Sequence, residues 1–288
     1  MCRNLAIAAT ALGLILAAPG FADAKSKTGK DDADAPIPAA GQAAAPAAPA
    51  PAPQRKATPE ERAMADRLDP LARAAFWAHE VDIDARDSEA GIKLAGSLRA
   101  LGRNEDAART AQQVLVVDPD NKAAAFEAAR DFIAGGQGFF AIDYLKRLQA
   151  ADARDWRPVS LLGVAYEQVT RDDDAEAAWR QALALSPNNP AVLSNLAMHY
   201  AAKGDPAKAE ALLRQAASQP GASLQVRQNL ALVLGIEGKF AEAETLTRQD
   251  LPPDMASNNI AYLHAAAGGG DTRTWAGLQN AQAEAATN

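Results

Sequence analysis

The chain has one cysteine, Cys2, in 288 residues, so it has no internal disulfide. Cys2 sits in a segment read below as a removable leader. The remaining chain then has neither a thiolate nucleophile nor a thiolate metal ligand. Aromatic residues are only 5% of the chain, while alanine is abundant and 48% of residues are apolar. Closely packed helices suit that mixture better than a core built on large rings. There is no excess of basic charge either: 29 Lys and Arg face 36 Asp and Glu, a net charge of −7. Without a basic surface to neutralise phosphates, nucleic acid is excluded as a partner. The apolar run Leu5 to Ala18 falls short of the ~20 residues a spanning helix needs.

Arg3, that apolar run, Pro19-Gly20 and Ala22-Asp23-Ala24 together read as a secretory signal peptide over residues 1–24, with cleavage after Ala24. No cysteine follows the run, so lipid attachment at the cleavage point is not expected, and no membrane span remains afterwards. Residues 25–57 read as a disordered Ala/Pro-rich linker, because alanine and proline dominate from Ala33 to Pro53 and cannot bury a core. Residues 58–288 carry 23 basic against 32 acidic side chains, or −9, more acidic than the whole.

A 34-residue period runs through this last part. One unit holds Leu162-Gly163, Tyr166, Ala175, Trp179, Ala182 and Pro187. Shifted by 34, the same places hold Leu196, Ala197, Tyr200, Ala209, Leu213 and Ala216, and then Leu230, Ala231, Leu234 and Ala243. Backwards they hold Ala128, Ala129, Phe132, Ala141 and Leu145, and before them Leu94, Ala95, Leu98 and Ala107. Five units start near 88, 122, 156, 190 and 224. This spacing resembles the tetratricopeptide pattern, in which small residues at positions 8 and 20 let two helices approach, larger ones at 7, 11 and 24 fill between pairs, and glycine near 15 turns the chain. The fold expected is all-α: a tetratricopeptide repeat solenoid, a right-handed superhelix of helix-turn-helix pairs with a concave groove lined by the first helix of each unit. Capping helices are expected at both ends, one from Thr58-Pro59-Glu60-Glu61, one over Asp69 to Glu80, and a last one around Thr274 to Ala285.

No catalytic residue emerges, and no cofactor or metal is expected. His79, His199 and His264 are scattered over different units without paired ligand spacing. Asp172-Asp173-Asp174 reads as a solvated acidic turn between helices, lacking the spaced oxygen ligands of a calcium loop. Gly136-Gln137-Gly138-Phe139-Phe140-Ala141 matches a dinucleotide fingerprint, but it follows a helix where that motif needs a strand. Gly268-Gly269-Gly270 falls on the same turn of the last pair.

Asn195, Asn229 and Asn259 each occupy position 6 of a first helix. An amide can donate to a peptide carbonyl and accept from a peptide N–H, so the row suits an extended polypeptide. The other reading is that these amides tie neighbouring helices together. Arg130, Arg157, Glu167, Met198 and Gln228 are also expected to face the groove, mixing both signs of charge with apolar groups.

Gln228-Asn229-Leu230-Ala231, Gly238-Lys239-Phe240-Ala241-Glu242-Ala243, Asp250-Leu251-Pro252 and Asn259-Ile260-Ala261-Tyr262-Leu263 resemble the C-terminal part of the TadD family of tight-adherence (Flp) pilus assembly proteins. Asp69 to Ala78 and the Gly102 unit resemble it too, so the similarity covers roughly residues 60 to 265. The resemblance implies a non-enzymatic scaffold in the periplasm that works with pilus assembly components and the outer-membrane secretin. Members of that family are often lipoproteins; this chain lacks the cysteine, so association with the outer membrane would come through a partner. The alternative is a general periplasmic tetratricopeptide chaperone or adaptor for envelope proteins.

Overall fold

Each repeat opens in the same way. Asp87, Asn121, Asp155, Asn189 and Ser223, spaced by 34, all accept hydrogen bonds through their side chains from backbone amides two or three residues on. They supply the partners that the first turn of a helix lacks. The computed structural model describes residues 55–268; the signal peptide, most of the linker, Gly269-Gly270 and the helix expected around Thr274 to Ala285 lie outside the described residues.

Among the described residues there are thirteen helices and no strand. Two N-terminal helices, α1 (Pro59–Ala65) and α2 (Pro70–Ile83), precede five pairs: α3 (Ser88–Ala100) with α4 (Asn104–Val117), α5 (Lys122–Ala134) with α6 (Gly138–Ala151), α7 (Trp156–Gln168) with α8 (Asp172–Leu185), α9 (Pro190–Ala202) with α10 (Pro206–Ala217), and α11 (Leu224–Ile236) with α12 (Phe240–Asp250). Helix α13 (Pro253–Gly268) follows at once, because α12 has only 11 residues where α4, α6 and α8 have 14. The all-α repeat solenoid expected from the period is the fold observed.

The turn inside each pair is built alike. The residue at position 15 has positive φ in all five: Gly102, Gly136, Gly204 and Gly238 near +72° to +83°, and Thr170 at +58°. The next residue's N–H then reaches back to the carbonyl at position 11, as in Arg103 to Leu98 and Arg171 to Tyr166, both 2.9 Å. Asp172-Asp173-Asp174, expected in the turn, instead forms the first turn of α8, where carboxylates meet the positive end of the helix dipole.

The core is alanine where helices cross and larger between pairs. Ala107, Ala141, Ala175, Ala209 and Ala243 at position 20 are fully buried, as are Ala95, Ala129 and Ala197 at position 8. Leu145, Trp179 and Leu213 at position 24 are likewise inaccessible. At position 8 of the third unit stands Gly163, against which the Trp179 indole lies, its Nε1 donating to the Ser160 carbonyl at 3.1 Å.

Candidate functional site

Contacts between non-consecutive helices define the curvature. The backbones of successive first helices come close to one another in order (α3 with α5, α5 with α7, α7 with α9, α9 with α11, α11 with α13), whereas the backbones of α4, α6, α8, α10 and α12 stay apart and are bridged only by long side chains, such as Arg214 to Glu242. Elements that converge lie inside a curve and elements that splay lie outside, so the first helices line the concave face.

Along that face the chemistry changes from charged to apolar. Position 9 reads Gly96, Arg130, Val164, Met198, Leu232. Arg130 is exposed and held by Glu127 at 3.1 Å, with its guanidinium carbon 6.0 Å from the Phe126 ring centroid. Arg157, from the next unit, is anchored to Asp155 at 2.7 Å and stands 5.7 Å from the same ring. The fold thus gathers two of the expected residues around a phenylalanine that the sequence reading missed. Beneath them Arg99 bridges α3 to α5 by bonding Glu127 and Asp131, the latter at 2.5 Å. Asp131 is inaccessible and its second oxygen has no hydrogen-bond partner. Burial pushes its carboxyl up to about 6, against the opposing pull of Arg99.

Further along, Met198 is half-buried and packs with Leu161, Val164 and Leu232 against the core. Glu167 bonds His199 Nδ1 at 3.1 Å, and His199 is itself buried between Trp179 and Tyr200, at 5.4 and 5.8 Å. Glu167 and His199 therefore tie α7 to α9. His79 is exposed on α2, and His264 lies in α13. Gln228 is half-buried on α11.

The asparagine row divides. Asn229 Nδ2 donates to Ser194 Oγ at 3.0 Å, and its Oδ1 accepts from Gln225 Nε2 at 2.9 Å, so this amide links α11 to α9. Asn195 and Asn259 are also half-buried, yet their side-chain amides make no hydrogen bond to another described residue. Asn195 has Ser160 at the place that Ser194 holds for Asn229, so the residues at these positions do not by themselves separate tie from free amide. Phe126, Leu161, Val164 and Leu232 were findable at positions 5, 6 and 9 of the same period.

The acidic turn is balanced locally. Asp172 pairs with Lys203, and Asp174 with Arg171 at 2.7 Å. Among the described residues no group of three or more His, Cys, Asp or Glu side chains is arranged to hold a metal ion, and no helix is long and apolar enough to cross a membrane.

Helices in 34-residue pairs around a shared concave face define a repeat scaffold for protein contacts. Two family profiles, both described as tetratricopeptide repeat, match residues 60–138 and 170–232. The chain is a tetratricopeptide-repeat protein. A thermophilic tetratricopeptide protein of Thermus thermophilus is 23% identical over 62% of this chain and 99% of its own, with a TM-score of 0.56, which shows the shared fold. MamA, residue 41 to the end, from Desulfovibrio magneticus RS-1 is 21% identical over 54% of this chain and 90% of its own, with a TM-score of 0.48. No curated protein matches the chain.

Proposed function

We propose that this protein is a non-enzymatic, exported scaffold that holds segments of partner proteins in its concave groove and supports assembly of a Flp-type pilus and its outer-membrane secretin. The single observation that carries the binding reading is the concave face itself: two arginines held over Phe126 at one end, then a half-buried apolar row of Leu161, Val164, Met198 and Leu232. Such a surface suits a segment that places an acidic group near α5 and α7 and apolar side chains toward α11. The choice of pathway rests on the resemblance of residues 228–263 to the TadD family. Export, and a site of action at the inner face of the outer membrane, rest on the leader and on that resemblance.

The test is affinity purification of the full chain from envelope extracts, with Arg130→Ala/Arg157→Ala and Met198→Asp alongside. Recovery of secretin and pilus components that drops with these variants supports the proposal. The free amides of Asn195 and Asn259 favour a second reading, a chaperone indifferent to client sequence; recovery of diverse outer-membrane proteins without pilus components would establish that reading instead. Mass spectrometry of the mature terminus is expected to find Lys25, and a lipid-modified terminus would refute the reading of the leader as an ordinary signal cleaved after Ala24.

A further inference from the structure

Three of the seven phenylalanines gather at one place outside the groove. Phe139 and Phe140, in the first turn of α6, are 71% and 56% exposed, their rings edge to face at 5.6 Å. Phe140 continues to Phe132 at 5.5 Å, and Phe132 stacks on the half-buried Tyr144 at 6.2 Å, with Arg147 closing the strip 5.1 Å over the Tyr144 ring. Tyr144 OH also accepts from Gln112 Nε2 on α4 at 3.4 Å, so the strip borders the gap between α4 and α6.

The repeat does not require these rings. The equivalent places hold Glu105 and Asp106, Asp173 and Asp174, Ala207 and Lys208, and Ala241 and Glu242. In a chain with 5% aromatics, two phenylalanines left in water at sites that are otherwise polar or small are an unpartnered apolar surface. A strip of ring faces and edges is the chemistry that grips proline-rich segments, whose left-handed extended helix repeats every three residues and carries little ordering entropy.

The chain supplies such a segment itself. Pro36-Ile37-Pro38 and Pro46-Ala47-Ala48-Pro49 lie in a stretch, residues 35–54, without a charged side chain. Pro46 and Pro49, three apart, would share one face of that helix, and Ile37 is its one large apolar side chain. The end of the stretch is fixed: Arg55 bonds Glu61 at 2.7 Å, and Lys56 bonds Asp84 at the end of α2 at 2.6 Å. From α2 the strip on α6 is two helix layers away, roughly 20 Å at 8–10 Å per layer. At 3.1 Å per residue, Pro49 can reach about 19 Å from Arg55 and Ile37 about 56 Å, so the distance falls within the reach of residues 36–49.

We infer that residues 36–49 of this chain dock on its own Phe139–Phe140–Tyr144 strip, covering the aromatic surface and returning the tether along the second helices. The docking segment itself carries no charge to desolvate, Arg147 lies at the edge of the strip over Tyr144, and the strip is outside the concave groove, which stays open.

The test places the photo-crosslinking residue benzoylphenylalanine at Phe139 in the full chain, with the same residue at the 82%-exposed Val116 of α4 as a control nearer the tether. Capture of the tryptic peptide spanning residues 31–55, within one molecule in a mixture of light- and heavy-isotope chains, is expected from 139 and not from 116. Replacing Pro36, Pro38, Pro46 and Pro49 by serine keeps the tether's length and is expected to abolish capture; Phe140→Ser, at an exposed site, is expected to weaken it. Equal capture from both positions, capture that survives the serine variant, crosslinks to a second copy or to another protein, or no capture of 31–55 would each overturn the inference.

Discussion

Gly163 occupies position 8 of the third unit, and replacing it with alanine tests whether the solenoid's stability rests on the approach of α7 and α8. A methyl group there would lie 2.4 Å from Trp179 Nε1, 2.5 Å from Cε2 and 2.7 Å from Cδ1. Trp179 is fully buried, so the indole cannot swing into solvent without leaving a hole. Displacing it strains the packing, at about 1–3 kcal/mol. It also breaks the bond from Nε1 to the Ser160 carbonyl, leaving buried groups unpaired at about 1–3 kcal/mol more. Alanine's better helix propensity returns roughly 0.5–1 kcal/mol. The net expectation is a loss of about 3 kcal/mol, or roughly 6–12 °C in Tm for a domain of this size. Urea unfolding followed by far-ultraviolet circular dichroism and tryptophan fluorescence reads it. Gly96→Ala is the control: its Cβ would meet the ends of the Glu127 and Arg99 side chains, at 3.0 and 3.8 Å, and no backbone or ring, so the change is expected to stay within about 1 kcal/mol. A Gly163→Ala chain as stable as the wild type would refute the packing argument.

Thr170 carries positive φ in a turn where the other four units use glycine, so Thr170→Gly is expected to raise stability by about 1 kcal/mol, and a lower urea midpoint would contradict the strain. Asp131 holds its proton up to about 6 in the folded chain, while an unfolded aspartate releases it near 3.9. Between those values the folded state binds more protons, so stability is expected to fall as pH rises from about 4 to about 6. Asp131→Asn should flatten that part of the profile, and an unchanged slope would refute the assignment to Asp131. Glu80 is buried at 1% exposure, with Arg62 Nη2 at 2.5 Å and the Ala57 amide at 3.0 Å. Arg62→Ala strands that charge and is expected to cost about 3–5 kcal/mol, whereas Arg62→Met with Glu80→Gln should recover much of the loss in the same unfolding assay.

The groove and the repeat were legible to different depths. Alanine at position 20 is a local demand: wherever two helices of a pair cross closely, only a small side chain fits, so the period alone located Ala107 through Ala243. The meeting of Arg130 and Arg157 over Phe126 is not local. Positions 9, 2 and 5 come together only when neighbouring units stack with a particular rotation, which no single unit encodes. The acidic run at Asp172 looked like a loop because its charge was read without its register; position 17 begins the second helix in every unit, and there the helix dipole favours carboxylates.

By itself, then, the sequence determined the helical pairs, their 34-residue spacing and the small residues at the crossings, because each follows from residues near one another along the chain. The tertiary structure decided which side chains share the concave face, that Asn229 is spent on Ser194 while Asn195 and Asn259 stay free, and that four aromatic rings form one strip beside α4. These depend on how each unit is turned against the next, and that angle is set by packing summed over whole helices rather than by any motif.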